Sequence, residues 1–179
     1  MKPIATLFVD QPVPFSMRTI GVDDIELLRG WKNEHRQFFF YKEIITREQQ
    51  QEWYRRWSQE MHDHMFIIEV ENRSVGCIGI RLFQDMADVY NVILGDKQFG
   101  GKGIMSEALC VTVAFSQLLY PGTPVCVRVL QTNPAIAWYE RNGFARIAAN
   151  DEYVTMKCTR AIPSRFKCNM TLSIPFRQA

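Results

Sequence analysis

Apolar and polar positions change period several times along the chain, and each change predicts an element. PFSMRTI (14–20) alternates as a short strand. In VDDIELLRGWKNEH, Ile25, Leu28 and Trp31 share a face at helical spacing, with Asp23 at the N-cap and Glu26 three residues on. ITREQQQEWYRRWSQE predicts a second helix, in which Thr46 and Gln49 fit a capping box. Trp53 and Trp57 stand one turn apart on it, a spacing that suits packing better than a ligand platform. HMFIIEVENRSVGCIGIRLF predicts a hairpin turning near Asn72–Arg73, and DVYNVILG (88–95) a further strand. From Gly103, GIMSEALCVTVAFSQLL predicts a helix with Ile104, Ala108, Val111, Phe115 and Leu118 on one face, stopped by Pro121 and Gly122. PVCVRVL (124–130) is apolar enough to be buried on both faces. In TNPAIAWYERNGF, Asn133 suits an N-cap, Pro134 the first helical position and Gly143 the stop. FARIAA and EYVTMKC close the series as strands.

The resulting order is β-α-α-β-β-β, loop, α-β-α-β-β. Leading antiparallel strands followed by one β-loop-α-β-α unit predict an α+β domain with a mixed sheet, not a regular βαβ array. We expect about seven strands and about four helices. A length of 179 residues suits one domain. Its bounds are read as 1–158, with a core at 14–158. The tail, 159–179, contains MTLSIPF as the segment able to add a strand.

Composition narrows the function classes. The chain is 47% hydrophobic and 22% charged, an ordinary globular balance. A net charge of +2 gives no footprint for nucleic acid or an anionic membrane surface. No apolar run reaches membrane-span length. MKPIATLFVDQP is broken by Asp10 and Pro12 and lacks a signal peptide's apolar region, so a cytoplasmic protein is expected. The five cysteines (Cys77, Cys110, Cys126, Cys158, Cys168) form no CxxC and read as reduced thiols. His35, His62 and His64 have no ligand spacing, so no metal is expected.

QFGGKGIMS (98–106) lies between a strand and a helix, the place for a phosphate-holding loop. The Walker A pattern fails twice, with Asp96 at its first glycine and Gly103 at its hydroxyl. The dinucleotide pattern fails at Ser106 and lacks an early βαβ unit with its acidic residue. The loop instead resembles that of the GCN5-related N-acetyltransferase (GNAT) superfamily, [Q/R]-x-x-G-x-[G/A]. Two registers are open. Gln98, Gly101 and Gly103 match the pattern directly. GKGIMSEAL resembles the family's GKGIGSEAL and places Gly103 at the first glycine, Gly100 where Gln or Arg is usual, and Met105 at the small-residue position. The second is preferred because it agrees with the helix start. Asn133 to Phe144, NPAIAWYERNGF, is similar to the family's second signature, and the resemblance covers roughly 14–158.

That resemblance implies the GNAT fold and acetyl transfer from acetyl-CoA, as co-substrate, to a primary amine. It implies cofactor contacts from Val92, Ile93 and Leu94 on the fourth strand of the resemblance. The loop residues Gly100, Gly101, Lys102, Gly103, Ile104, Met105 and Ser106 would meet the pyrophosphate. Asn133, Ala137 and Tyr139 would line the pantetheine arm. Tyr139 is the implied acid for the leaving thiolate, and Asp88 the implied base. Asp85, Glu43, His35 and Tyr90 remain open as further base candidates. The stretch from Leu27 to Trp57 is similar to a subgroup of ribosomal-protein N-terminal and nucleotide-sugar acetyltransferases. Arg36 and Lys42 would then face a substrate phosphate, and Phe38 to Tyr41 a sugar or base. The partners implied are acetyl-CoA and an amine acceptor, without nucleic acid or membrane, on a monomer or homodimer. A silent acyl-CoA-binding module and an aminoglycoside-type acetyltransferase stay as alternatives.

Overall fold

Runs rich in β-branched and aromatic residues collect into a single sheet. The computed structural model describes residues 4–9, 14–159 and 168–173. Its strands are β1 (Ile4–Val9), β2 (Phe15–Thr19), β3 (Asp63–Val70), β4 (Arg73–Phe83), β5 (Met86–Leu94), β6 (Val125–Leu130), β7 (Phe144–Ala149), β8 (Tyr153–Cys158) and β9 (Cys168–Ser173). The helices are α1 (Ile25–Glu34), α2 (Arg47–Trp57), α3 (Ile104–Leu119) and α4 (Ala135–Arg141). Among the described residues the sheet has nine strands, in the order β7-β8-β6-β5-β4-β3-β2-β1-β9. Every neighbouring pair is antiparallel except β5 and β6.

The sequence expectation of about seven strands lacks β1, while β9 is the added strand that MTLSIPF is able to form, through its residues 170–173. Ala5, Leu7 and Val9 are buried, the alternation of a half-buried strand. Six residues give that period little statistical weight. Asp10 and Pro12 lie outside the described residues, as do residues 174–176 of MTLSIPF.

Two cores flank the sheet. Phe66, Ile68, Ile78, Ile80, Ala87 and Val89 face α3 and α4 together with Phe115 and Phe144. Met65, Ile67, Cys77 and Ile93 face α1 and α2, against Trp31 and Trp57. The α2 start is as predicted: Gln49 N–H donates to Thr46 Oγ1 at 3.3 Å, and Thr46 N–H to Gln49 Oε1 at 2.9 Å. The Trp53 and Trp57 rings stack at 6.0 Å.

Three local expectations are corrected. Asp24, not Asp23, organises the α1 entry. Its buried carboxylate accepts from Gly21 N–H at 2.7 Å and from both arms of Arg18 at 2.6 and 2.8 Å. The hairpin turns at Glu71–Asn72, one residue early, with φ of 51° and 62° at the two positions. Leu118 is 63% exposed and belongs to no core face.

Candidate active site

The cleft originates in one bulge. Cys77 pairs with Ile93 and Gly79 with Tyr90, so Asn91 and Val92 together oppose the single residue Ile78. Asn91 takes φ 48° to absorb the extra residue. The insertion inverts the side-chain parity of β5. Before it, Ala87 and Val89 enter the α3 side of the sheet; after it, Ile93 enters the α1–α2 side and Val92 packs on the α3 side. β5 also leaves β6, because their parallel ladder covers only Ala87–Val89 against Val125–Val127. The main-chain groups of 90–94 on that edge are left outside the β6 ladder. A cavity of about 860 Å³ opens there, walled by both strands, α1, α4 and the segment 38–41.

Of the cofactor residues expected from sequence, Val92, Ile93, Leu94, Asn133 and Tyr139 line this cavity. Gly100 to Ser106 do not; they form the turn into α3 and its first three residues. Gly101 and Gly103 have φ of 74° and 80°, a conformation that only glycine adopts without strain. Glu107 is the first α3 residue whose N–H has a backbone partner, donating to Gly103 at 3.0 Å. Among the described residues the N–H groups from Gly101 through Ser106 are therefore free of backbone acceptors, an array suited to a phosphate. Met105 turns its side chain into the first core, with its sulfur 3.1 Å from where a Cβ on Gly76 would stand. A small residue at 76 thus makes room for the large one at 105. Lys102 lies with its ammonium 4.5 Å over the Phe99 ring. Ala137 is exposed and absent from the cavity wall; Pro134 and Ala135 line it instead.

The Asp88 side chain is 4% exposed and engaged by two guanidinium groups, Arg81 at 3.1 Å and Arg128 at 3.3 Å. Arg81 stands directly opposite it on β4. Tyr139 is buried between Trp138 and Phe144, with ring centroids at 4.9 and 5.7 Å. Burial, with the Asp88 charge behind it, raises the Tyr139 phenol above its ordinary range, so it stays protonated at neutral pH. The Tyr90 phenol donates to Asp63, which also accepts from Trp57 Nε1 at 3.1 Å. Burial and that carboxylate keep Tyr90 neutral as well. Asp85 and Glu43 are exposed and off the cavity wall; His35 lies on it, with Nε2 buried and unpartnered among the described residues.

Phe38, Phe39, Phe40 and Tyr41 all reach the cavity, and Asn133 Nδ2 holds their segment by donating to the Phe38 carbonyl at 3.2 Å. Arg36 and Lys42 are exposed and do not line it. The cations that do, Lys32, Arg81 and Arg128 foremost, escape sequence reasoning. Lys32 donates to Asn91 Oδ1 and sits 3.4 Å over the Phe39 ring. Its sequence signal is the W-[RK]-N pattern at Trp31 to Asn33, part of the subgroup resemblance, which gives the lysine itself no role. Burial lowers its pKa from 10.5 to about 8.

A family model described as the acetyltransferase (GNAT) domain matches residues 15–145. A search of curated proteins returns no match. Among solved structures, FdhC, a nucleotide-linked sugar GNAT in apo form, aligns at 15% identity and TM-score 0.68, over 80% of this chain and 85% of its own. RimL, a ribosomal L7/L12 alpha-N-protein acetyltransferase in complex with coenzyme A, aligns at 16% and 0.67, over 84% and 96%. A spermidine N-acetyltransferase from Vibrio cholerae, with CoA and spermine, aligns at 16% and 0.66, over 88% and 95%.

Proposed function

This chain belongs to the GNAT acetyltransferase family, and from that premise we propose that it transfers the acetyl group of acetyl-CoA to a primary amine. The observation that carries the reading is the parting of β5 from β6 at the Asn91 bulge, which leaves a strand edge beside a deep cavity. An extended amide-bearing arm completes such an edge as an added strand would. Val92 to Leu94 supply the main-chain groups, and Asn133 and Ala135 the opposite wall. Gly101 to Ser106, the glycine turn and the start of α3, supply free N–H donors for the pyrophosphate.

In the transfer the amine nitrogen attacks the thioester carbonyl. The C–N bond forms, the C–S bond breaks, and the electron pair leaves on sulfur. The β5 edge at the bulge offers an N–H to the developing oxyanion. Tyr139, held protonated by burial, gives its proton to the departing thiolate. The amine must shed a proton to bulk solvent or to a base. Asp88, expected as that base, has one carboxylate oxygen shared by two guanidinium groups, Arg81 at 3.1 Å and Arg128 at 3.3 Å. We assign it the placing of Arg81 and Arg128 in the wall.

The test is acetyl-CoA consumption, followed by thiol release, against amino sugars, amino-sugar phosphates, amino acids, peptide N-termini and polyamines, with calorimetry for acetyl-CoA. Binding with turnover supports the reading. Absence of acetyl-CoA binding at millimolar ligand overturns it.

A further inference from the structure

The inner wall of the cavity contains more positive charge than its own carboxylates neutralise. Arg81 and Arg128 share Asp88. Asp63, across from Arg81 on β3, accepts from Tyr90 and Trp57. At the rim, Lys97 pairs with Glu34 at 2.7 Å. Arg56, also on the wall, lies 3.5 Å from Glu52. Lys32 is the cation left over: among the described residues no carboxylate comes within 4.0 Å of its ammonium.

No carboxylate among the described residues balances the charge at that point. Lys32 donates to the neutral Asn91 side chain and lies on the face of Phe39, both of which line the cavity. An ammonium has three donors, and one is used here. Around it stand the thiol of Cys77, which burial keeps protonated by raising it to about 12, and Arg81, with His35 on the same cavity wall. A part-buried cation that meets only a ring face and an amide oxygen has no counter-ion, and an incoming anion supplies one.

Resting on the acetyltransferase reading above, we infer that the amine acceptor also carries an anionic group, a carboxylate or a phosphate, and that Lys32 is its anchor. The anion is not one of the cofactor's own. The phosphate-type donors lie at Gly101 to Ser106, outside this cavity, and the arm expected along β5 is uncharged. A polycationic acceptor would meet Lys32, Arg81 and Arg128 together, a repulsive match. The structural likeness to a spermidine acetyltransferase therefore does not extend to acceptor charge.

The experiment uses the full chain saturated with acetyl-CoA for turnover, or with CoA for binding. Matched acceptors are glucosamine with glucosamine 6-phosphate, an amino acid with its amide, and spermidine. In at least one pair the anionic member should have a KM about tenfold or more lower, the effect of one charged hydrogen bond. The two pairs separate phosphate from carboxylate as the source. Lys32→Met should abolish that preference, and Lys32→Arg should restore it. Calorimetry near pH 8 in two buffers of different ionisation enthalpy should show proton uptake with the anionic member, absent in Lys32→Met. Melting curves check that both variants fold. Equal use of neutral amines or spermidine overturns the inference. So does a Lys32→Met variant that loses kcat for every acceptor alike, which would make Lys32 a base. Failure of both anionic members to bind the CoA-loaded protein also overturns it. Anion binding with proton uptake but no acetyl transfer would instead sink the acetyltransferase reading and leave the anion site standing.

Discussion

Asn133 ties two distant segments together: its Nδ2 donates to the Phe38 carbonyl at 3.2 Å, while its Oδ1 accepts from Ala135 N–H at 2.9 Å. One side chain thus starts α4 and pins the aromatic segment over the cleft. Asn133→Asp keeps the cap but turns an acceptor toward the Phe38 carbonyl. Its expected result is a near-native melting temperature, faster hydrogen exchange at 38–41 and a raised acceptor KM. Asn133→Ala loses the cap as well and should cost about 1 kcal/mol more. Equal exchange rates at 38–41 in all three proteins would count against the link.

Tyr139 gives the sharpest catalytic prediction. Tyr139→Phe preserves the packing against Trp138 and Phe144 and removes the proton. We expect kcat to fall by about 10² or more with acetyl-CoA affinity little changed. Because burial raises its pKa above the ordinary value of 10.0, the wild-type pH–rate profile should show no alkaline loss from this group below pH 10. Unchanged single-turnover rates in the phenylalanine variant would remove Tyr139 from the mechanism.

Lys32 links function to stability with a definite sign. Its pKa falls from 10.5 unfolded to about 8 folded, so between those values the unfolded chain binds more protons. Stability from this group therefore rises with pH from about 8 to 10.5, and its penalty is full below 8. Lys32→Met should stabilise the ligand-free protein by up to about 3 kcal/mol at pH 7, an advantage that disappears above pH 10.5. Denaturant melts at pH 7 and 10.5 decide it; a destabilised variant at pH 7 would show that Lys32 is structural.

Asp88 separates positioning from proton abstraction. Asp88→Asn leaves Arg81 and Arg128 facing each other without a carboxylate, a break that costs about 3 kcal/mol or less because both guanidinium side chains keep some contact with solvent. The expected phenotype is a loss of stability, a raised acceptor KM, and retention of the acid limb of the pH–rate profile. Loss of that limb in a variant of normal stability would restore Asp88 as the base.

The glycine turn makes a prediction independent of sterics. A Cβ at Gly103 would meet nothing within 4 Å, yet φ is 80° there. Gly103→Ala should cost about 1–2 kcal/mol through the backbone alone and weaken acetyl-CoA binding as the turn relaxes. Calorimetric titration of the variant with acetyl-CoA measures this directly.

Local chemistry was legible in the sequence where adjacent residues carry it. The Thr46–Gln49 box, the glycine turn into α3 and the Asn133 start of α4 each involve partners within a few positions, so their patterns survive in one dimension. The family signatures are of this kind, and they pointed to Val92–Leu94, Asn133 and Tyr139, which the fold gathers around one cavity. Single-position errors arose where neighbours were chemically alike. Asp23 and Asp24 differ only in which one faces Arg18, and that is decided by β2.

What remained hidden depends on contacts distant in the chain. The bulge at Asn91 exists only relative to β4, and it alone explains why Ile93 and Val89, both odd-numbered, face opposite cores. The polarity of the cleft is likewise a product of assembly. Lys32, Arg81, Asp88 and Arg128 come from four elements, and nothing in the sequence says that they meet. Which charges find partners, and which one is left without, is set by the sheet register and the packing of α1 on β5. Coulomb interactions act over spatial distance, and chain spacing has no record of it.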